Sequence, residues 1–213
     1  MSDELEIGLA WHRSVGDGPE QSRMLTSLVA RHREPHRRYH GVRHVCWVLR
    51  HVHELATAEP VDDLAAVVVA ACYHDAVYDP RAAANEAASA RLARRELSAI
   101  SWPQHRIDAV ATMIEATASH VGDASATVHE GDVAVLLDAD LAVLGAPPNA
   151  YGAYATGVRA EYAHVDDAAW RPGRATILRS LLERSVIYRT PTGRARWESR
   201  ARANLTAELA SLR

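Results

Sequence analysis

The sequence predicts an all-α protein. Three observations carry that reading. Apolar residues recur at helical spacing almost throughout, no stretch sustains the period-two alternation of β-branched and aromatic residues that strands favour, and the breaks between apolar runs have helix-start and helix-stop chemistry. The first two helices are placed at roughly 20–33 and 37–57. Pro60 with Asp62 and Asp63 opens a third at roughly 62–76, since proline fits a first turn and aspartate caps it. Asp79-Pro80 breaks the chain before a helix at roughly 84–98, and Pro103 after Ser101 starts the next at roughly 103–119. The polar stretch from Gly122 to Gly131 leads into roughly 130–144, where Gly145-Ala-Pro-Pro148 is a stop followed by a start and gives roughly 148–165. The last two helices fall at roughly 174–188 and 194–211, separated by Thr190-Pro-Thr-Gly193. No connection is long or simple enough to read as a linker, and no repeat is visible. One domain of stacked helices over residues 1–213 is therefore expected.

Composition narrows the chemistry. The chain has 213 residues, 48% apolar and 24% charged, with a formal net charge of -3, the profile of an ordinary globular protein. Two cysteines cannot build a disulfide framework or a four-cysteine zinc site. The acidic opening, Met1 to Ile7, does not resemble a signal peptide, so a reducing cytoplasm is expected. The most apolar run, Leu64 to Tyr73, is about half the roughly 20 residues that cross a bilayer, so no membrane span is expected. The slightly acidic balance argues against strong nucleic-acid binding through phosphate neutralisation. What stands out is 12 His beside 2 Cys, which makes histidine the expected carrier of chemistry.

Helical angles select which histidines and acids are buried. With about 100° per residue from Arg37 to Leu55, Val48, Leu55, Trp47, Val52, His51 and His40 fall within roughly 80° of His44. His44 is thus near the centre of the apolar stripe. The run Ala65 to Tyr73 is apolar on every side, marks a central helix, and ends in His74-Asp75; a carboxylate there must be paired, protonated or bound to a metal. In the helix at 130–144, Asp138 and Asp140 diverge by about 200°. Val133, Leu136, Leu137, Leu141, Val143 and Leu144 surround the direction of Asp140, so Asp140 is expected to face the core and Asp138 to point away. Cys46 and Cys72 lie about 200° from His44 and His74, and both thiols are expected to face elsewhere. His51 is two turns from His44, about 10 Å along the axis, too far to share an ion; His40 is one turn away. Two imidazoles and two carboxylates suit a divalent ion with positions left for water and substrate.

The spacing His44, His74-Asp75, Asp140 resembles the H…HD…D signature of HD-domain metal-dependent phosphohydrolases. The flanks extend the likeness: E-P-H-R-R-Y-H-G-V-R-H (Glu34 to His44), Y-H-D-A-V-Y-D-P (Tyr73 to Pro80), N-E-A-A-S-A (Asn85 to Ala90), D-A-D-L-A-V-L-G (Asp138 to Gly145) and V-R-A-E-Y (Val158 to Tyr162). Together they resemble a bacterial branch of predicted HD-superfamily phosphohydrolases, over about Trp11 to Leu209. One departure is Gly41, where asparagine is expected after the first histidine.

The resemblance implies a single-domain HD-type bundle of about eight to nine helices around a buried metal site. It implies that His44, His74, Asp75 and Asp140 bind one divalent ion, Mn, Fe, Zn, Ni or Co, which makes bound water nucleophilic and polarises a phosphoryl oxygen. The implied substrate is a small phosphate ester, with nucleotides the first class to try. A general acid is needed for the leaving alkoxide; Asp79 and Glu86 are the candidates, with helix capping as the competing explanation. Arg37, which points with His44, and His40, His120 and Arg159 are the candidate substrate contacts. Arg159, Glu161 and Tyr162 are placed to close the pocket, or else to form an internal ion pair with aromatic packing. Two other functions compete: a di-iron HD-type oxygenase, which needs two further histidine ligands, and a non-catalytic metal- and nucleotide-binding module. A homodimer is compatible with each.

Overall fold

The computed structural model describes residues 2–118 and 130–212, and all regular structure in them is helical. The elements are α1 (Asp3–Val15), α2 (Pro19–His32), α3 (Val42–Leu55), α4 (Leu64–Tyr73), α5 (Asn85–Ala99), α6 (Gln104–Ala116), α7 (Glu130–Leu141), a 3-10 turn (Ala142–Gly145), α8 (Pro148–Glu161), α9 (Asp167–Leu182) and α10 (Pro191–Ser211).

The most apolar segment becomes the central helix. Every residue of α4 from Ala66 to Tyr73 is at most 2% exposed, and α1, α3, α5, α6 and α7 pack around it. Each of its valines contributes roughly 1.5–3 kcal/mol by leaving water. Its start is fixed by Asp63, whose carboxylate accepts from the Ala66 amide at 3.1 Å and from Arg106 at 2.6 Å. Asp132 at the start of α7 is fully buried and accepts from the Asp62 and Asp63 amides at 2.8 and 3.2 Å. The two helix starts are thereby tied together. No single helix among the described residues is long and apolar enough to cross a membrane.

The structure departs from the predicted helices in three places. Helix α1 was not expected; its cues are a Ser2 cap, Asp3, Glu4 and Glu6 in the first turn, and only Ile7, Ala10 and Trp11 buried. Helix α3 begins at Val42 rather than near residue 37, because side chains elsewhere take the polar backbone groups of residues 38–40. Helix α9 begins at Asp167, capped by Asp166, and runs through Pro172 and Gly173, which read as a break in the sequence. It ends at Leu182, before the expected stop.

Helix α10 closes the bundle over the turn that follows α7. A Cβ on Gly145 would lie 2.8 Å from the Trp197 Cα and 2.9 Å from its carbonyl oxygen. Both atoms belong to the backbone and cannot rotate away. Gly145→Ala is therefore expected to destabilise the fold by about 1–3 kcal/mol, as overpacking does, measured as a lower denaturant midpoint. An unchanged midpoint would mean that α10 does not sit this close.

Candidate metal centre

Three helices bring two imidazoles and two carboxylates together. His44 is in the first turn of α3, His74 and Asp75 follow the last residue of α4, and Asp140 is near the end of α7. The Nε2 atoms of His44 and His74 are 3.0 Å apart. Asp75 Oδ2 lies 3.3 Å from the first and 3.1 Å from the second. Asp140 Oδ1 lies 3.3 and 3.6 Å from the same two nitrogens. The imidazole side chains are 1% and 2% exposed and the carboxylates 14% and 12%. The nitrogens are thus sealed in the core while the oxygens meet the solvent side.

The donor set fits a divalent ion. With metal–ligand bonds of about 2.0–2.2 Å, neighbouring donors sit roughly 3.0 Å apart around an octahedral ion and roughly 3.4 Å around a tetrahedral one. The observed separations of 3.0–3.6 Å match. His74 Nδ1 donates to the Ala71 carbonyl at 2.8 Å; a carbonyl only accepts, so Nδ1 holds a proton and, in the neutral ring, Nε2 is the nitrogen left to bind an ion. The buried group His44, His74 and Asp75 could hold a metal ion.

The charges support one another. Burial opposes ionisation of all three groups, but Asp140 and Asp75 outweigh it and raise the pKa values of His44 and His74. Burial likewise pushes Asp75 up, and His74, His40 and His44 more than reverse this, holding it well below the usual carboxylate range. Both cysteines face other parts of the core, Cys46 near Glu6 and Arg50, and Cys72 beside Leu28 and His32. Burial pushes each thiol up to about 12, which leaves neither reactive near neutral pH.

A second set of buried charges holds the non-helical segment before α3. Glu161 ends α8 with its side chain fully buried. Its Oε1 accepts from the backbone amides of Arg38, Tyr39 and His40 at 2.7, 2.7 and 2.9 Å. Its Oε2 accepts from His40 Nδ1 at 2.7 Å and from the Tyr78 hydroxyl at 2.8 Å. Burial alone would raise this carboxyl, but His40 and the amides hold it at about 2. Arg37 reaches the other way. Its guanidinium donates to the Asp75 carbonyl at 2.6 Å, the His40 carbonyl at 3.0 Å and the Ala76 carbonyl at 3.3 Å, and it pairs with Glu34 at 3.0 Å. Glu161 and Arg37 thus lock the segment to both α8 and the His74-Asp75 turn.

A cleft of about 690 Å³ opens over the cluster, with His74, Asp75 and Asp140 in its wall. His40 and Glu86 face the same space. The other predicted contacts do not. Asp79 is exposed and turns its carboxylate to the Arg81 amide at 2.9 Å, a turn within the loop; it does not cap α5, whose cap residue is Ala84. Arg37 is spent on carbonyls, as above. Arg159 donates to the Tyr162 and Val165 carbonyls and pairs with Asp167 at 2.8 Å, so it closes the end of α8 rather than the cleft. His120 lies outside the described residues. Asp138 is corrected too: it is 1% exposed, not outward, and accepts from the Arg189 amide, the Thr190 amide and the Thr190 hydroxyl at 2.7–2.8 Å. It anchors the start of α10. Gly41 has a local cause, since a Cβ there would lie 3.1 Å from the His32 carbonyl oxygen.

Sequence reasoning passed over one wall of the cleft. Arg174 on α9 is 6% exposed, pairs with Glu208 at 2.7 Å and donates to the Tyr154 hydroxyl at 3.3 Å. Tyr154, Tyr162 and Trp170 provide aromatic surface beside it. Pro172 and Gly173 hide the helical period that places Arg174 inward. Comparison with family models, curated proteins and solved structures finds no match to this chain.

Proposed function

We propose that the chain is a metal-dependent phosphohydrolase of the HD type, a single helical domain acting on a small phosphate ester. The observation that carries this reading is the convergence of two imidazole nitrogens with two carboxylate oxygens, each oxygen 3.1–3.6 Å from both nitrogens, with His74, Asp75 and Asp140 in the wall of a cleft large enough for a small substrate. His44, His74, Asp75 and Asp140 would hold one divalent ion, Mn, Fe, Zn, Ni or Co. Such an ion supplies Lewis acidity toward a phosphoryl oxygen and acidifies a water.

The remaining steps fall to the chain's own side chains. His40 lines the cleft, and its Nδ1 is fixed by the Glu161 carboxylate at 2.7 Å. That contact keeps the proton on Nδ1 in the neutral ring and leaves Nε2 to exchange a proton with the substrate. His40 thereby takes the proton-transfer role in place of Asp79, with Glu86 the second acid on the cleft. Arg184 lines the far wall beside Arg174, whose charge Glu208 balances, and Tyr154, Tyr162 and Trp170 give the wall apolar surface, which suits an ester with an aromatic group. The di-iron alternative is less well supported, since Glu161 already engages His40.

A panel of phosphate esters, including nucleotides, assayed with each of the five ions tests the reading. His40→Ala is expected to retain the metal and to lower kcat by about 10²–10⁴, the usual range for a lost general acid. Loss of metal in that variant would place His40 among the ligands instead.

A further inference from the structure

A second cavity, of about 270 Å³, has His44 in its wall and shares Tyr154 with the cleft. Arg38, Tyr39, Arg43, His44 and Trp47 form its polar side, and Val143, Ala150, Ala153 and Tyr154 its apolar side. His44 is in this wall and not in that of the cleft. Four buried side-chain polar atoms lack a hydrogen-bond partner among the described residues, and three belong to this wall: Tyr39 Oη, His44 Nδ1 and Trp47 Nε1. Buried polar atoms without partners are rare, because each costs about 1–3 kcal/mol.

The chemistry of the wall is one-sided. Arg38 and Arg43 are exposed, and behind them the three shielded groups are donors as well: Trp47 Nε1 can only donate, the Tyr39 hydroxyl can donate, and His44 Nδ1 carries the ring proton whenever Nε2 serves as a ligand. The Arg38 and Arg43 guanidinium groups form no ion pair among the described residues. No carboxylate lines the cavity. The first turn of α3 contributes Arg43 and His44, and the cap residue Gly41 supplies no side-chain acceptor, so the helix end adds positive potential. The segment bearing Arg38 and Tyr39 is held in place by Glu161, so this half of the wall is set before any ligand arrives.

We propose that this cavity is a ligand site, separate from the metal-bearing cleft, for an organic carboxylate with a small apolar body. The Arg38 and Arg43 guanidinium groups match the carboxylate, with the shielded donors adding positive potential behind them, and Val143, Ala150, Ala153 and Tyr154 match the hydrocarbon. A bare inorganic oxyanion leaves the apolar side unfilled. The cavity shares His44 with the metal cluster and Tyr154 with the cleft, but the inference is read by binding and not by turnover, so its failure is distinguishable from that of the phosphohydrolase reading.

The test is calorimetric titration of the intact protein with benzoate, inorganic phosphate and benzyl alcohol. Benzoate is expected to bind at one site per chain, and the other two, each lacking half of the chemistry, at least about tenfold more weakly. The double variant Arg38→Gln, Arg43→Gln is expected to weaken benzoate by at least about tenfold. Ala150→Leu, which fills the cavity without touching charge, is expected to block it. Arg184→Gln, in the main cleft, is expected to leave it unchanged. Thermal melts identify any variant that fails to fold, and the two cavity variants fail independently, one by charge and one by volume. No benzoate binding at about 10 mM, equal affinity in both cavity variants, or loss only in Arg184→Gln would overturn the proposal.

Discussion

Asp75→Ala is expected to abolish phosphate-ester hydrolysis, lowering the rate by at least about 10³, because an activating ion contributes several kcal/mol to the transition state. The variant removes one of the two carboxylates that meet both imidazoles at 3.1–3.3 Å. It also separates chemistry from folding. A ligand that binds only the folded chain stabilises it in proportion to the logarithm of its saturation, so a chelator should lower the melting temperature of the wild type and leave that of Asp75→Ala unmoved. His74→Ala is expected to behave in the same way. Equal chelator sensitivity in wild type and variant would place the ion elsewhere.

The largest effect on stability is expected from Glu161→Ala. Five donors converge on this buried carboxylate: three backbone amides, the His40 ring and the Tyr78 hydroxyl. An unsatisfied buried donor costs about 1–3 kcal/mol, and opening a buried charged network about 3–5 kcal/mol. Because the freed segment can partly rehydrate, the lower of these totals, about 3–5 kcal/mol, is expected from denaturant unfolding. Glu161→Gln should cost less. One amide oxygen can still accept from the three backbone N–H groups, but the NH₂ then faces His40 Nδ1 and the Tyr78 hydroxyl. His40 must give up its Nδ1 proton or turn, so hydrolysis should fall more than stability does.

The same carboxylate sets a pH dependence. Its folded pKa is lowered to about 2 from an ordinary value of 4.5. The unfolded chain therefore takes up the proton first, and the stabilisation is complete above about pH 4.5 and is lost as pH falls toward 2. A difference of about 2.5 units corresponds to about 3 kcal/mol. Glu161→Gln should flatten this acid limb in a series of melts, whereas an unchanged limb would assign it to other carboxylates.

The legible and the hidden parts of the molecule differ for a physical reason. His44 and Asp140 could be found because each sits inside a helix, where a fixed angle per residue converts sequence spacing into direction. His74-Asp75 could be found because the most apolar run ends there. The same rule placed both cysteines away from the cluster, where they are. It misled at Asp138, because a helical wheel registers apolar neighbours and cannot foresee that a turn at Arg189 and Thr190 will supply donors. It misled at Arg37 as well, since the residues before Val42 are not helical and their side-chain directions follow from contacts rather than period. Glu161 meets residues 38–40 across more than a hundred positions of sequence. A pairing at that distance leaves no periodic trace, and the sequence offered only the choice between a pocket wall and an internal ion pair for it. Arg174 was obscured by the neighbouring Pro172, which α9 tolerates within its length.

The most direct test of the central claim is elemental analysis of the purified chain beside its His74→Ala and Asp75→Ala variants, with hydrolysis measured on the same samples. The predicted result is about one divalent ion per chain in the wild type, little or none in the variants, and activity that follows the metal. A wild-type chain that holds none of the five ions after incubation, or hydrolysis undiminished in the variants, would contradict it.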